Sequence, residues 1–325
     1  MSQSYTQVQN MVINDDAAGQ RLDNFLCARF RNLPKSRIYQ MVRKGEVRVN
    51  GGRIKAQYRL MIGDQVRIPP LRLAPTGESS SNRSLPTALA ISLRQSILFE
   101  DDQFLALNKP AGLAVHGGSG IQWGLIEALR QLRPEISFLE LVHRLDRDTS
   151  GCLLVAKNRS TLLAFHQALR QRHAIDKDYL AIIIGAWPRQ SEIIEAKLQK
   201  RVLASGERIV RVDDSGQAAK TCIQSLRRKR KFSLIQARPI TGRTHQIRVH
   251  CQYAGHSIAG DQKYSAPWMT ALAEQAGIDR LCLHAHRIRI HLPGIKTEIN
   301  APLDDKFAAI LDKLDLVPTD LPHID

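Results

Sequence analysis

One carboxylate in this chain is placed where an ionised acid could do chemistry. The stretch His143–Gly151 reads His-Arg-Leu-Asp-Arg-Asp-Thr-Ser-Gly and sets Asp146 between Arg144 and Arg147. Opposite charge close by favours the ionised form of an acid, so the spacing predicts a carboxylate able to act as a nucleophile or a general base. An Arg-Asp pair that only tightens a loop fits the same spacing, because such pairs are common away from active sites.

The loop that carries Asp146 lies between two short apolar runs, 139–142 and 152–156, which the pattern predicts as buried strands. Rigid elements at both ends of a loop are a usual way of presenting catalytic groups. Further strands are predicted at 104–108, 179–184, 221–226, 233–238 and 287–291, and helices at 125–132, 160–171, 244–253 and 306–314. Strands outnumber helices without a regular alternation, which favours an α+β fold with a mixed, largely antiparallel sheet.

Positive charge is concentrated near the start of the chain, with thirteen Lys or Arg against three acids between Arg21 and Arg72. Apolar residues at helical spacing predict two short helices, and Asn50-Gly51 predicts a tight turn between small strands. A solvated basic hairpin would leave this local excess unexplained, so we expect a small α/β module at 1–73 that binds nucleic acid. The cations expected to contact RNA are Arg21, Lys35, Arg37, Arg43, Lys44 and Arg48.

Composition limits the remaining possibilities. The 325 residues suit two domains, and 47 Lys or Arg against 31 Asp or Glu favour a polyanionic partner. Residues 74–92 are rich in Pro, Gly, Ser and Asn and are predicted to be a flexible linker before a second domain at 93–325. Five cysteines without paired spacing suit a reducing cytoplasm. No leader or membrane segment is expected, because no run reaches the ~18 apolar residues that cross a bilayer.

Four ordered motifs resemble those of the pseudouridine synthases that modify ribosomal and transfer RNA. They are Leu107-Asn-Lys-Pro-Ala-Gly-Leu-Ala-Val-His116, His143–Gly151, Lys177-Asp-Tyr179 and Thr241-Gly-Arg-Thr-His-Gln-Ile-Arg-Val-His250. The amino-terminal stretches Arg21-Leu-Asp, Ser36-Arg-Ile and Gly45-Glu-Val-Arg-Val-Asn-Gly resemble the S4 RNA-binding module. The resemblance implies a catalytic domain with the pseudouridine synthase fold, preceded by an S4-like module with a core at about 20–72.

The resemblance also assigns roles to individual residues. It makes Asp146 the catalytic acid, Tyr179 the ring that stacks on the uracil, and Arg248 the cation that accompanies Asp146. It implies that Arg144 fills the place of a uridine flipped out of the RNA and that Ile247 packs against the target base. Other residues expected to bind substrate are Asn108, Lys109, His143, Arg243, His245 and Gln246. We expect no cofactor, and no metal, because the histidines lack an i, i+4 spacing with a supporting acid.

The implied reaction is isomerisation of uridine to pseudouridine at several positions of 23S (large-subunit) ribosomal RNA, by a monomer. The bond from ribose C1′ to uracil N1 breaks, the base rotates, and C1′ joins C5. Asp146 could attack C1′ or remove the C2′ proton, and the sequence does not choose. Two alternatives stay open: a catalytically silent RNA-binding ribosome assembly factor, and a hydrolase that releases free uracil.

One further acid and two departures from the family pattern lie near the motifs. Asp148 invites a glycosidase-like pair with Asp146, but neighbouring positions in a loop fix no separation between the two carboxylates. Gly260-Asp261-Gln-Lys-Tyr264 matches a turn of the family, with Ser265 where glycine is usual. His291-Leu292-Pro293 likewise replaces a more common His-Pro. We expect these two departures to change local turns rather than the chemistry.

Overall fold

The computed structural model describes residues 7–14, 17–30, 33–71, 84–117, 123–171, 174–202 and 207–318. The chain divides into two compact units, residues 1–84 and 85–325. Each unit has a hydrophobic core built from its own residues. None of the described helices has both the length and the apolar content that a bilayer crossing requires.

The first unit is a small α/β module. Its elements are β1 (Gln9–Val12), α1 (Leu22–Arg29), α2 (Lys35–Lys44), β2 (Arg48–Val49) and β3 (Gln65–Ile68). The three strands form an antiparallel sheet in the order β1-β3-β2. The predicted turn is confirmed, because Asn50 and Gly51 have φ of 50° and 77°, the left-handed pair that a type I′ hairpin requires. Completely buried Leu26, Ile38 and Met41 pack the two helices into the core.

The second unit is built around one large sheet. Its helices are α3 (Thr87–Gln95), α4 (Leu125–Leu132), α5 (Arg159–Gln171), α6 (Gln246–Tyr253), α7 (Pro267–Gln275) and α8 (Asp305–Lys313). Its strands are β4 (Ile97–Glu100), β5 (Phe104–Lys109), β6 (Glu140–Leu141), β7 (Ser150–Ala156), β8 (Ile175–Ile184), β9 (Ser191–Glu195), β10 (Leu198–Val202), β11 (Arg208–Val212), β12 (Lys220–Arg228), β13 (Phe232–Pro239), β14 (Leu283–Leu292) and β15 (Ile295–Asn300).

Within the described residues, ten of these strands form the sheet, whose main path runs β4-β5-β7-β14-β8-β13-β12-β9. β15 pairs with β14, β6 pairs with β7, and β10 and β11 form a separate hairpin. All recorded pairings are antiparallel except the one between β7 and β14. The prediction of an α+β fold with a largely antiparallel sheet is therefore confirmed.

The predicted linker is wrong at its carboxyl-terminal end. Residues 74–83 of that prediction lie outside the described residues. Residues 87–92 belong to α3, and the second unit begins at 85 rather than 93. Leu93 is fully buried in the main core, and Leu85 and Leu89 pack against it. The prediction rested on the average composition of 74–92, which Pro, Gly and Ser in its first part dominate. Helix formation depends instead on which face is buried, and Leu89 and Leu93 of α3 share one face.

Other differences concern short or polar elements. The sequence did not predict helix α7. It also did not predict the strands β9, β10, β11 and β15, whose mixed apolar and charged residues give a weak alternation. Pairing with a neighbouring strand stabilises such segments. Helix α6 begins at Gln246 rather than at 244, because His245 occupies the N-cap position with a φ of 53°.

Gly151 fixes the sheet beside the Asp146 loop. Its φ is +107°, and a Cβ at this position would lie 2.3 Å from the carbonyl oxygen of Ala285. Only glycine allows this close approach, which brings the start of β7 against β14 with Ser150 opposite His284. Ser150 Oγ lies 2.9 Å from His284 Nδ1. The motif that contains Asp146 therefore ends in the residue that joins its loop to the centre of the sheet.

Candidate active site

A cleft of about 520 Å³ in the second unit collects most of the predicted site residues. Its walls include the loop between β6 and β7, the first half of β8, and the first turn of α6 with the loop before it, and the end of α5 and the start of β14 complete them. The predicted residues that line it are His143, Arg144, Asp146, Tyr179, Arg243, His245, Gln246, Ile247 and Arg248. Residues that are 102 positions apart, such as Asp146 and Arg248, meet here.

The Asp146 loop is held by its own backbone. Thr149 N–H donates to the Asp146 carbonyl at 3.2 Å, which closes a turn. The Arg147 carbonyl accepts from Gly112 N–H at 2.9 Å and from Lys109 Nζ at 2.9 Å. These bonds fix the direction of the Asp146 side chain, which is 18% exposed and lies in the cleft wall.

The expected pairing of Asp146 with its sequence neighbours is wrong. Arg147 pairs with Asp148, with 3.0 Å between Nε and Oδ1, and the Arg144 side chain is exposed at the cleft edge. The cation beside Asp146 is Arg248, whose Nη1 lies 3.4 Å from Oδ2. Consecutive side chains in an extended loop point in different directions, so sequence adjacency did not identify the partner.

Arg248 is itself held in place by a second carboxylate. Its Nε and Nη2 donate to the two oxygens of Asp261, each at 2.8 Å, in the bidentate geometry that suits guanidinium. Burial disfavours the charged form, but the hydrogen bonds and charge of Asp261, with a further contribution from Asp146, outweigh it and raise the pKa of Arg248. The guanidinium therefore stays charged and offers its remaining Nη1 to Asp146.

Tyr179 and Ile247 supply the apolar part of the cleft. Tyr179 is 8% exposed and lies on β8, while Ile247, at 6%, lies on α6. Burial raises the pKa of the Tyr179 phenol, and the charge of Asp146 raises it further. The phenol is therefore neutral at physiological pH, and the two side chains present a ring and a branched alkyl group to the same space.

Asn108 and Lys109 do not line the cleft, and their side chains bond to other parts of the protein. Lys109 is fully buried, and its Nζ donates to the carbonyls of Pro110, Leu113 and Arg147 at 2.8 to 2.9 Å. Burial lowers its pKa to about 7, against the charges of Asp148 and Asp146. Three carbonyl acceptors require all three protons of an ammonium, so Lys109 supports the loop as a cation. Asn108 Nδ2 donates to the Pro302 carbonyl.

The side chains of two lining residues, Gln246 and His143, make their hydrogen bonds within the protein. Gln246 accepts from Thr241 Oγ1 and donates to Thr221 Oγ1 and the Lys220 carbonyl at 2.7 to 2.9 Å. His143 Nε2 accepts from Leu154 N–H at 3.2 Å, and burial, then the charge of Lys177, lowers its pKa to about 3. Both side chains shape the wall, and neither carries charge into it.

The first unit presents cations in a different way. Lys35, Arg43, Lys44 and Arg48 are exposed, whereas Arg21 pairs with Asp23 at 2.6 Å and Arg37 pairs with Glu46 at 3.0 Å. A mostly apolar cavity beside α2 is lined by these residues: Ser36, Tyr39, Gln40, Val42, Arg43, Arg53, Ile54, Lys55, Ala56, Gln57 and Tyr58. The module thus combines solvated cations with two tyrosine rings at one cavity.

Comparison with known proteins identifies the family. Residues 103–253 match the family model described as RNA pseudouridylate synthase, and residues 20–66 match the S4 domain. Ribosomal large subunit pseudouridine synthase C of Haemophilus ducreyi is 53% identical over 309 residues, which are 94% of this chain and 96% of that protein. The chain belongs to the RNA pseudouridylate synthase family.

Further relatives of the synthase agree with this assignment. Ribosomal large subunit pseudouridine synthase C of Escherichia coli strain K12 is 49% identical over 311 residues, covering 94% of this chain and 97% of that protein. Among solved structures, human RNA pseudouridylate synthase domain containing 4 aligns with a TM-score of 0.59 and 27% identity over 73% of this chain and 98% of its own. The predicted fold, the S4 module and the assignment as an isomerase are therefore confirmed.

Two residues that support the cleft from behind Arg248, Asp261 and Tyr264, were not predicted from the sequence. Asp261 holds Arg248, and Tyr264 lies under the same guanidinium, with its ring centroid 5.0 Å from Cζ. Tyr264 also reaches His245, with 2.6 Å between Oη and Nδ1. The family turn Gly260–Tyr264 contains both residues and was the sequence feature that could have indicated them. Ser265 adopts no left-handed φ, so a serine fits where glycine is usual.

Proposed function

We propose that this synthase converts selected uridines of 23S ribosomal RNA to pseudouridine, with Asp146 as the catalytic acid. One observation carries the proposal: a single cleft brings the Asp146 carboxylate, the Arg248 guanidinium 3.4 Å away and the Tyr179 ring together. The printed names of the relatives from Haemophilus ducreyi and Escherichia coli support a large-subunit ribosomal substrate. We further propose that the synthase acts as a monomer in the cytoplasm, without a cofactor.

The geometry supports a simple sequence of events. A target uridine leaves the RNA stack and enters the cleft, with Arg144 at the rim positioned to fill the vacated place. Tyr179 and Ile247 hold the uracil between a ring and an alkyl group. The Asp146 carboxylate then acts on the ribose, either at C1′ or at the C2′ proton, and the bond from C1′ to N1 breaks.

The second half of the reaction restores neutrality without losing an atom. The detached uracil rotates until C5 faces C1′, and the new carbon–carbon bond forms as Asp146 leaves C1′ or returns the C2′ proton. The C5 proton is then released while N1 gains one. Arg248 supplies a fixed positive charge beside Asp146 throughout, because Asp261 anchors it independently of the substrate. Fixed charge that needs no reorganisation during the reaction is an efficient form of transition-state stabilisation.

The module supplies affinity for the RNA backbone. Lys35, Arg43, Lys44 and Arg48 are free to contact phosphates, which positions RNA and makes binding sensitive to salt. The module alone carries little sequence information in this mode. We propose that the choice among several uridines depends on RNA shape and on the residues around the cleft rim, including Arg243.

Tritium release from RNA transcribed with 5-tritiated uridine tests the reaction directly. Wild-type synthase is expected to release tritium from 23S RNA, and Asp146→Asn to lower the rate by about 10²- to 10⁴-fold while RNA affinity is retained. Carbodiimide mapping of the product RNA would locate the modified positions.

Other products would contradict the proposal in distinct ways. Free uracil in the mixture would indicate hydrolysis of the glycosidic bond. Tight binding of 23S RNA by wild-type protein with no tritium release would instead indicate an assembly factor with a silent cleft. Equal rates for wild type and Asp146→Asn would remove Asp146 from the chemistry.

A further inference from the structure

His245 connects two parts of the cleft that the reaction scheme leaves separate. Its Nδ1 lies 2.6 Å from the hydroxyl oxygen of Tyr264, and the two rings meet edge to face with centroids 5.5 Å apart. Its Nε2 lies 3.7 Å from Oδ2 of Asp146. The imidazole therefore bridges the Gly260–Tyr264 turn and the catalytic loop.

The hydrogen bond that Tyr264 accepts from the backbone bears on which nitrogen of His245 carries the proton. The Tyr264 hydroxyl oxygen accepts from the backbone N–H of Val210 at 3.1 Å. The hydroxyl proton is then available for donation to Nδ1 of a neutral His245. A neutral imidazole that accepts at Nδ1 carries its proton on Nε2.

The carboxylate on the other side requires the same tautomer. An ionised Asp146 only accepts hydrogen bonds, so an unprotonated Nε2 would place one lone pair against another. Burial lowers the pKa of His245, although the charge of Asp146 favours its protonated form. In the neutral ring and in the protonated ring alike, Nε2–H points at Asp146.

Both groups that approach Asp146 address the same oxygen. Arg248 Nη1 lies 3.4 Å from Oδ2, and His245 Nε2 lies 3.7 Å from that atom. Apo distances of this kind commonly shorten when substrate closes a site. With two donors placed next to Oδ2, the other oxygen, Oδ1, is left available to the ribose.

The backbone at His245 supports a functional reason for its position. Its φ of 53° lies in the left-handed region, which residues other than glycine seldom adopt, although asparagine, aspartate and histidine do so more often than the rest. Such conformations are found where the surrounding structure holds a side chain for a purpose. Here the residue is the N-cap of α6, and its carbonyl accepts from Val249 N–H, while its own side chain makes no capping hydrogen bond. The side chain turns to Tyr264 and Asp146 instead.

We propose that His245, with its tautomer set by Tyr264, is a positioning residue that holds Oδ2 of Asp146 and leaves Oδ1 to react. The inference rests on the proposed function of Asp146. It assigns no proton transfer to His245: the imidazole orients the carboxylate, in the way that a second group commonly orients a catalytic base. It gives the Gly260–Tyr264 turn a role in the reaction.

Two substitutions separate the two ends of the imidazole. His245→Asn tolerates a positive φ and keeps a polar amide near Tyr264, but it removes the donor next to Asp146. His245→Gln places an amide N–H near the position of Nε2 and loses the contact with Tyr264. Tyr264→Phe keeps the ring under Arg248 and removes the hydroxyl.

Single-turnover tritium release with saturating 23S RNA gives the expected order. A misplaced reacting atom costs about 100-fold in rate, which is the loss expected for His245→Asn with RNA affinity unchanged. His245→Gln should retain more activity than His245→Asn, and Tyr264→Phe should lie between wild type and His245→Asn. His291→Asn, at an exposed histidine, is the matched control and should behave as wild type.

Nuclear magnetic resonance of histidine-labelled protein reads the tautomer without RNA. Two-bond nitrogen–proton correlations should show the His245 proton on Nε2 in wild type and a mixture of tautomers in Tyr264→Phe; loss of the signal in His245→Asn assigns it. A proton on Nδ1 in wild type would overturn the inference. So would a wild-type rate in His245→Asn, or a loss confined to RNA affinity.

The two proposals fail in different ways. Wild-type protein that releases no tritium from 23S RNA would contradict the proposed substrate, and the tautomer spectrum would still decide the arrangement around Asp146. Loss of activity in Asp146→Asn together with full activity in His245→Asn would keep the catalytic acid and remove the positioning residue.

Discussion

The synthase uses the same cation types in two opposite ways. In the cleft, the side chain of Arg248 is 8% exposed and contacts two carboxylates, so its direction is fixed. In the S4 module, Arg43 and Lys44 are exposed on α2. A buried guanidinium with good geometry orients a partner, whereas exposed cations give long-range, salt-sensitive attraction for phosphates. In the proposed function, the buried cation therefore takes part in the chemistry and the exposed cations dock the RNA.

The contrast extends to ion pairs away from the cleft. Asp178, which precedes Tyr179 on β8, is 1% exposed and accepts from Arg238 on β13 and from Arg287 on β14 at 2.8 to 2.9 Å. Arg37 and Glu46 in the module form a pair whose side chains are 39% and 29% exposed. Breaking a buried pair strands a charge, while an exposed pair contributes little.

The largest expected effect tests this contrast directly. Asp178→Asn should lower the free energy of unfolding of the second unit by about 3–5 kcal/mol, because two arginines lose their charged acceptor. Glu46→Gln should cost the module less than about 1 kcal/mol. Trp123, Trp187 and Trp268 all belong to the second unit, so tryptophan fluorescence during urea unfolding measures the Asp178→Asn loss, and hydrogen exchange of module amides measures the Glu46→Gln loss. Equal losses in the two variants would break the comparison.

Acid should also affect the two units differently. All 11 histidines follow residue 115, so the module has none. His284 is fully buried between Ser150 and the Ala301 carbonyl, and burial lowers its pKa from 6.5 to about 4. The unfolded chain therefore takes up this proton first, and the stability that the neutral ring contributes is present above pH 6.5 and lost as the pH falls toward 4.

The size of this loss follows from the shift. A change of this width corresponds to about 3 kcal/mol, which urea unfolding at pH 7 and at pH 4.5 would measure in part. His284→Gln keeps a donor for the Ala301 carbonyl and has no titratable ring, so its stability should change less between the two pH values. An identical pH dependence in wild type and His284→Gln would assign the acid sensitivity to other groups.

The smallest effect on folding stability is expected for two exposed cations of the module, Arg43 and Lys44. Their removal should instead weaken RNA binding. Arg43→Ala with Lys44→Ala should leave folding stability within about 0.5 kcal/mol of wild type, because both side chains are exposed. If each contacts one phosphate, the slope of log affinity against log salt should fall by about 2. The tritium-release rate at saturating RNA should not change; a slower bound reaction would mean that the module takes part in catalysis.

Much of the fold and of the candidate site could be predicted from residues that are close together in the sequence. Ordered motifs indicated the family, the acid Asp146 and the RNA-binding module, and periodic apolar runs located most long strands and α4 at 125–132. The Asn50-Gly51 turn followed from two residues that accept positive φ. These features depend on neighbours within a few positions, so a sequence read in one dimension contains them.

Contacts between distant segments needed the tertiary structure. The spacing favoured the arginines next to Asp146, whereas the family resemblance implied Arg248; the structure places Arg248 of α6 beside Asp146 and turns Arg147 to Asp148. Lys109 belongs to a motif expected to bind substrate, but folding buries its ammonium against three carbonyls behind the loop.

The sequence by itself determined which residues are chemically capable and where the strongly apolar strands and helices lie. Tertiary structure alone decided that Asp261 anchors Arg248 and that Tyr264 meets His245. The physical reason is that a side chain's partner depends on the direction it takes from its backbone and on which segment the sheet brings alongside. Neither quantity is encoded within a few neighbouring positions.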